Sequence, residues 1–321
     1  MTLDYTYASA RTAAMESRLL TASQLELLVS AKGTGEFIAA LYDTWLAPYL
    51  KRGTNVAVDQ AIDSAMDEAK HALDQIAPEP DILRMLWIKY DYHNLLAVLQ
   101  GVEAALTDEE ILARCYTTGT IAPDQLLRYV HDDDLARHDL TLADTLVKAR
   151  KVQGAMQDDV VMRAYFTRAR AIAEESDDAF ARQYIAAQID MHNVKALARA
   201  YVHPELAPYA ASIPGGTIES LPLDSPVLPA RMARYGGISV WKHALQGVLE
   251  HNDVATLERT ADDTFTDWVK YRSIARDDIA DLLSYFHALK NNAQTIRAID
   301  KAKRAGMHEK TLRTILRALY S

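Results

Sequence analysis

Two short patterns, Asp91-x-x-Asn94 and Asp190-x-x-Asn193, carry residue types that acid–base catalysis or metal ligation would use, and each has a histidine just before its asparagine, His93 and His192. A carboxylate beside an imidazole can relay a proton, and both groups are metal ligands. Asn193 follows Asn94 by 99 residues, and Asn292 follows Asn193 by another 99, but Leu289 stands where the first two patterns have aspartate. One catalytic centre would require these groups to converge in a single pocket. Three evenly spaced copies suit architecture better, with each side chain pinning a neighbouring helix end or loop. A buried amide is costly unless hydrogen-bonded, so a pin of this kind must find backbone partners.

The elements that place these residues are helices. Leu83, Leu86, Trp87, Tyr90, Asn94 and Val98 recur at spacings of three and four. So do Ile185, Ile189, Asn193 and Leu197, and then Tyr285, Leu289, Asn292, Ile296 and Ile299. These spacings put each asparagine on an apolar helix stripe, with Asp91 and Asp190 on the same face as their partners. Capping boxes are expected at Thr21-Ala22-Ser23-Gln24 and Thr107-Asp108-Glu109-Glu110. Pro123 opens a helix running to about Val130, Ser176 or Asp177 caps another, and Gly101, Gly119 and Gly215-Gly216 read as stops. Six of the ten prolines (Pro204, Pro208, Pro214, Pro222, Pro226 and Pro229) crowd one stretch, which predicts an irregular connector over 203–237.

Self-similarity extends beyond the asparagines. Gln24-Leu25 and Val29 match Gln125-Leu126 and Val130, and Leu41-x-Asp43-Thr44 matches Leu142-x-Asp144-Thr145, both at an offset of 101. Gly119-Thr120-Ile121 recurs as Gly216-Thr217-Ile218, with Gly306-Met307-His308 as a looser third instance. Several matches in one order at nearly one offset predict an all-α chain of three tandem helical repeats, 1–115, 116–214 and 215–321.

Composition excludes several function classes. A net charge of −9 over 321 residues argues against general nucleic-acid binding. The single cysteine, Cys115, allows no intrachain disulfide and fits a reducing compartment. The opening residues predict no signal peptide, and no stretch is apolar enough for a transmembrane segment. Phosphate-loop, zinc-protease, Cys-x-x-Cys and nucleophile-elbow patterns are missing, so no cofactor, metal or nucleotide is expected. The cluster His131-Asp132-Asp133-Asp134 with His138 hints at metal but reads as a solvated loop at a helix end. Charge is uneven: residues 289–321 carry +6 and the rest −15. Arg297, Lys301 and Arg304 share one helical face, which is either internally paired or a docking surface for an acidic partner or lipid headgroups.

Longer motifs carry a resemblance. Tyr5-x-Tyr7-Ala8-x-x-Arg11 with Glu16 and Leu19-Leu20-Thr21, the segment Lys89-Tyr90-Asp91-Tyr92-His93-Asn94-Leu95, the segment Gln188-Ile189-Asp190-Met191-His192-Asn193, and Asn292 with Ile296-Arg297-x-Ile299, Lys301 and Gly306 are similar to the C subunit of V/A-type rotary ATPases, in the family that includes the d subunit of eukaryotic V-ATPases. The resemblance spans nearly the whole chain and departs from the family at Ala288-Leu289-Lys290-Asn291, where acidic residues are usual. It implies a three-repeat helical funnel with approximate threefold symmetry around a central cavity. It also implies a non-catalytic rotor role, one copy per complex, with central-stalk subunits and the membrane proteolipid ring as partners, on the cytoplasmic face of the membrane. Residue patterns taken alone leave two other readings open: a helical-repeat scaffold for an unrelated protein, and an all-α enzyme built on Asp91, Asp190 and the nearby histidines.

Overall fold

The computed structural model describes residues 4–51, 57–210, 212–218, 221–274 and 278–320, and every regular element among them is helical. None of these helices is long and apolar enough to cross a membrane. The chain divides into two compact units: residues 81–261, and a discontinuous one made of residues 1–80 and 262–321.

In the unit of residues 81–261, the Arg84–Glu103 helix packs along the Ala155–Glu175 helix, which in turn packs on the Ala179–Val202 helix. Ala169, Ala173 and Ala187 are fully buried, and such small side chains let helix backbones approach closely. Trp87, Leu95, Tyr165, Phe166 and Ile185 fill the core, and the Tyr92 and Tyr165 rings meet edge to face with centroids 6.2 Å apart. The capping box at Thr107 forms as expected, and Pro123 sits in the first turn of the Pro123–His131 helix. Gly101 is not a stop. It lies inside the Arg84–Glu103 helix, where a Cβ would collide with the Ile111 side chain, and the left-handed residue after the helix is Ala105. Nor is the Ala179–Val202 helix capped by Ser176 or Asp177. Asp178 accepts from the Ala181 N–H at 2.7 Å, while Asp177 takes a left-handed conformation before it. Among its described residues the proline-rich connector holds only short helical turns, at Pro204–Tyr209, Leu228–Met232 and Ala233–Tyr235.

The other unit is organised around the Ile279–Arg304 helix, which is apolar on most sides and is packed by the Thr6–Glu16, Thr34–Leu41 and Val58–Ile76 helices. The Val58–Ile76 helix is strongly amphipathic, burying Ala61, Ile62, Ala65, Met66, Ala69 and Leu73 on one face. The capping box at Thr21 starts the Ala22–Ser30 helix. At that helix's far end, Lys303 Nζ donates to the carbonyls of Val29 and Ala31 at 2.6 Å each, satisfying two of the terminal carbonyls and placing a cation at the negative end of the helix dipole. Past the Glu309–Ile315 helix the chain runs as an extended strap. Ala318 receives a hydrogen bond from Asn291 and gives one to Asp263, and the Tyr320 ring is buried with its hydroxyl on Ser284.

Candidate functional site

Asp91 and Asn94 project from the Arg84–Glu103 helix onto the loop that follows it. Both are buried, Asp91 at 2% exposure and Asn94 at 0%. Asp91 Oδ1 accepts the backbone N–H groups of Thr120 at 2.8 Å and Ile121 at 3.0 Å, and its Oδ2 accepts the Thr120 hydroxyl at 2.5 Å. Asn94 makes a reciprocal pair with one peptide unit: its Nδ2 donates to Tyr116 O and its Oδ1 accepts from Tyr116 N, both at 2.8 Å. Each polar atom of the two side chains therefore meets a loop partner, which offsets the cost of burying them.

The second pattern repeats this chemistry on the Ala179–Val202 helix. Asp190 Oδ1 accepts from the N–H groups of Thr217 at 2.6 Å and Ile218 at 3.1 Å, and Oδ2 accepts the hydroxyls of Thr217 at 2.6 Å and Tyr235 at 2.7 Å. Asn193 pairs reciprocally with Ile213, donating to its carbonyl and accepting from its N–H at 2.9 Å each. The carboxylate beside its hydroxyl, together with burial, pushes the Tyr235 phenol well above its ordinary pKa; burial is the larger cause.

Gly119 and Gly216 have the same task in these two loops. A Cβ at Gly119 would be driven into Asp91 Oδ1, and one at Gly216 into Asp190 Oδ1. Glycine lets the backbone come close enough for the carboxylate to reach the next two N–H groups. Gly119→Ala is expected to cost about 1–3 kcal/mol in urea unfolding. Gly35→Ala, in a helix and with nothing near its Cβ position, should be neutral or mildly stabilising. Equal losses at the two positions would rule out the close-approach explanation.

Asn292 works differently. Its Oδ1 accepts the N–H of Leu20 at 2.7 Å, and its Nδ2 turns back to Ala288 O on its own helix at 3.1 Å. Leu289, at the aspartate position, is buried. One amide oxygen thus holds a loop end where the other two patterns use a carboxylate and an amide together.

Asp91 bonds Thr120 and Ile121, and Asp190 bonds Thr217 and Ile218, so each carboxylate holds the loop that follows its own helix. His93 meets the Arg114 carbonyl at 3.3 Å and packs on Tyr116, and His192 packs edge-on against Phe166. Burial lowers the pKa of both imidazoles, that of His192 to about 4, with the nearby Arg199 charge as the next cause. His192 lines a cavity of about 400 Å³ with Asp158, Asp159 and Arg199, and Arg199 is bridged to Glu258 at 2.5 Å. A proton relay needs a base that can take up the proton near neutral pH, which a histidine held this far down does poorly.

The remaining expected residues are dispersed. His131 ends its helix and faces Asp108, and His138 stacks on Tyr129 beside Asp134. Among the described residues no group of three or more His, Cys, Asp or Glu side chains is arranged to hold a metal ion. On the basic face, Arg297 is paired with Asp59 at 3.0 Å and Asp63 at 2.5 Å, Arg304 is paired with Asp300 at 2.8 Å, and Lys301 is exposed. Burial raises the Asp63 pKa even with the Arg297 charge opposing it. Tyr235, the fourth donor to Asp190, carries no local sequence signal, because it lies 45 residues from its partner.

A family model described as ATP synthase (C/AC39) subunit matches residues 8–315. No curated protein matches the chain.

Proposed function

Because the chain belongs to the ATP synthase (C/AC39) subunit family, we propose that it is a non-catalytic rotor subunit of a V-type ATPase or ATP synthase. It links the central stalk to the membrane proteolipid ring and transmits torque between ATP turnover in the other subunits and proton or sodium movement through the ring. It sits as one copy on the cytoplasmic face of the membrane, held there by the ring. The observation that carries this reading is the family match over nearly the whole length. The hydrogen-bonded loops support it: a torque-bearing element must not open locally, and a buried carboxylate with three or four donors makes local opening costly. In this reading the chain has three tandem repeats, 1–115, 116–214 and 215–321, with Asp91, Asn94, Asp190, Asn193 and Asn292 as structural pins; the match in bonding between the Asp91–Asn94 and Asp190–Asn193 patterns supports the first two.

Purification of the tagged native chain from a detergent extract tests the proposal. Nucleotide-binding subunits and a proteolipid are expected with it, and a chain that elutes alone overturns the rotor reading. The basic face enters the same experiment. Arg297 and Arg304 already have carboxylate partners, so Lys301 is the residue of the three best placed to meet an acidic partner. Lys301→Glu should reduce recovery of ring or stalk subunits without lowering the melting temperature, and unchanged recovery removes Lys301 from the interface.

A further inference from the structure

The aspartate position of the third pattern is occupied by Leu289, and Leu289 lines a cavity of about 640 Å³ in the unit formed by residues 1–80 and 262–321. This volume is in the range of small-molecule pockets. Its walls are of two kinds. Leu19, Leu289, Ala65 and Ala69 are buried aliphatic groups, and Trp45, Tyr49 and Tyr285 add aromatic rings. Three of the polar groups, Arg11, Arg18 and Trp45, can only donate. Arg11 and Arg18 line the cavity, are exposed, and form no ion pair among the described residues. Trp45 Nε1 is enclosed and has no acceptor within hydrogen-bonding distance among those residues. Two acids, Asp43 and Glu68, share the lining with the two arginines, and Glu68 lies beside the Tyr49 hydroxyl. An apolar floor beside two arginines outside any ion pair and one enclosed indole N–H without an acceptor, among the described residues, matches an apolar body that ends in an anionic acceptor. Guanidinium groups favour carboxylates because their paired N–H donors fit the two oxygens.

We propose that this cavity is a binding site for a carboxylate carried on an apolar stem, with Arg11 and Arg18 taking the carboxylate and Leu19, Leu289 and the aromatic rings taking the stem. The same chemistry is offered by a free fatty acid and by a glutamate flanked by apolar side chains on a partner protein. The site is independent of the rotor reading, and its test uses the full chain alone.

The indole N–H resonance of Trp45, assigned by its loss in Trp45→Phe, serves as the reporter. Octanoate or the peptide acetyl-Leu-Glu-Phe-amide should shift it saturably, and 1-octanol should need at least about tenfold more, since a charge-assisted pair is worth roughly 1.5–3 kcal/mol. Saturation by octanoate at the lower concentration assigns a free acid, and saturation by the peptide at the lower concentration assigns a protein side chain. The double variant Arg11→Ala/Arg18→Ala changes only exposed side chains and should lose about tenfold or more in affinity for the carboxylate while keeping its response to octanol. No saturable shift with either carboxylate, an equal response to octanol, or unchanged affinity in the double variant each overturns the proposal.

Discussion

Replacing Asp190 with alanine is expected to lower the unfolding free energy by about 3–5 kcal/mol. The carboxylate is fully buried and receives four hydrogen bonds, two from backbone N–H groups and two from hydroxyls. Alanine leaves all four donors facing a methyl group. Each buried donor left unsatisfied costs about 1–3 kcal/mol, and relaxation of the loop toward water recovers part of the sum. Asp91→Ala should cost less, about 2–3 kcal/mol, because Thr120, which gives Asp91 both a backbone and a hydroxyl bond, is exposed, so water can replace the lost acceptor there. Both residues lie in the unit of residues 81–261, so urea titration followed by circular dichroism compares them directly. A loss below about 1 kcal/mol for Asp190→Ala would show that its carboxylate is not a main pin, and a larger loss for Asp91→Ala would overturn the predicted order.

The second large effect is acid sensitivity arising at His192. Its pKa is about 4 in the folded chain against an ordinary value of 6.5, with burial as the main cause. Below pH 6.5 the unfolded chain binds a proton that the folded chain refuses. Stability is therefore complete above about pH 6.5 and falls as the pH drops toward 4, with a slope of up to about 1.4 kcal/mol per pH unit. Between pH 7 and pH 4.5 the loss attributable to this residue is about 2–3 kcal/mol. His93 shifts in the same direction, while the pKa of the Asp158 carboxyl is raised by partial desolvation and acts with the opposite sign. The wild-type profile thus sums several groups, and comparison with His192→Phe isolates the one. The variant should lose about 2–3 kcal/mol less than wild type over that interval, and parallel profiles would refute the assignment.

Much of the fold is legible in local sequence because its determinants are local. The capping boxes at Thr21 and Thr107, the helical start at Pro123 and the proline-rich connector each depend on residues a few positions apart. The Asp91–Asn94 and Asp190–Asn193 patterns are legible for a related reason: their partner loops lie within 30 residues and carry a repeated Gly-Thr-Ile of their own. What sequence could not supply is long-range. Nothing near Asn292 announces Leu20, nothing near Arg297 announces Asp59 and Asp63, and Tyr235 has no feature that ties it to Asp190. Gly101 misleads because glycine serves two purposes, and in mid-helix it answers the side chain of Ile111 rather than ending the helix. The three-residue face of Arg297, Lys301 and Arg304 reads as uniform in sequence, yet two of its members have carboxylates waiting and one does not.

The bond from Leu20 to Asn292 spans 272 positions, and it constrains the order in which the protein can be made. Residues 1–80 emerge from the ribosome about 200 residues ahead of the Ile279–Arg304 helix that packs against them. At about 5–20 residues per second, the early helices wait roughly 10–50 s for their core. The amphipathic Val58–Ile76 helix is the most exposed to that delay, with Ile62, Met66 and Leu73 uncovered on the nascent chain. Residues 81–261 suffer no such wait, because the unit they form is continuous and can close while the remainder is still being synthesised. The unit of residues 81–261 can therefore close first, and residues 1–80 keep their apolar faces uncovered for longer than any part of that unit does.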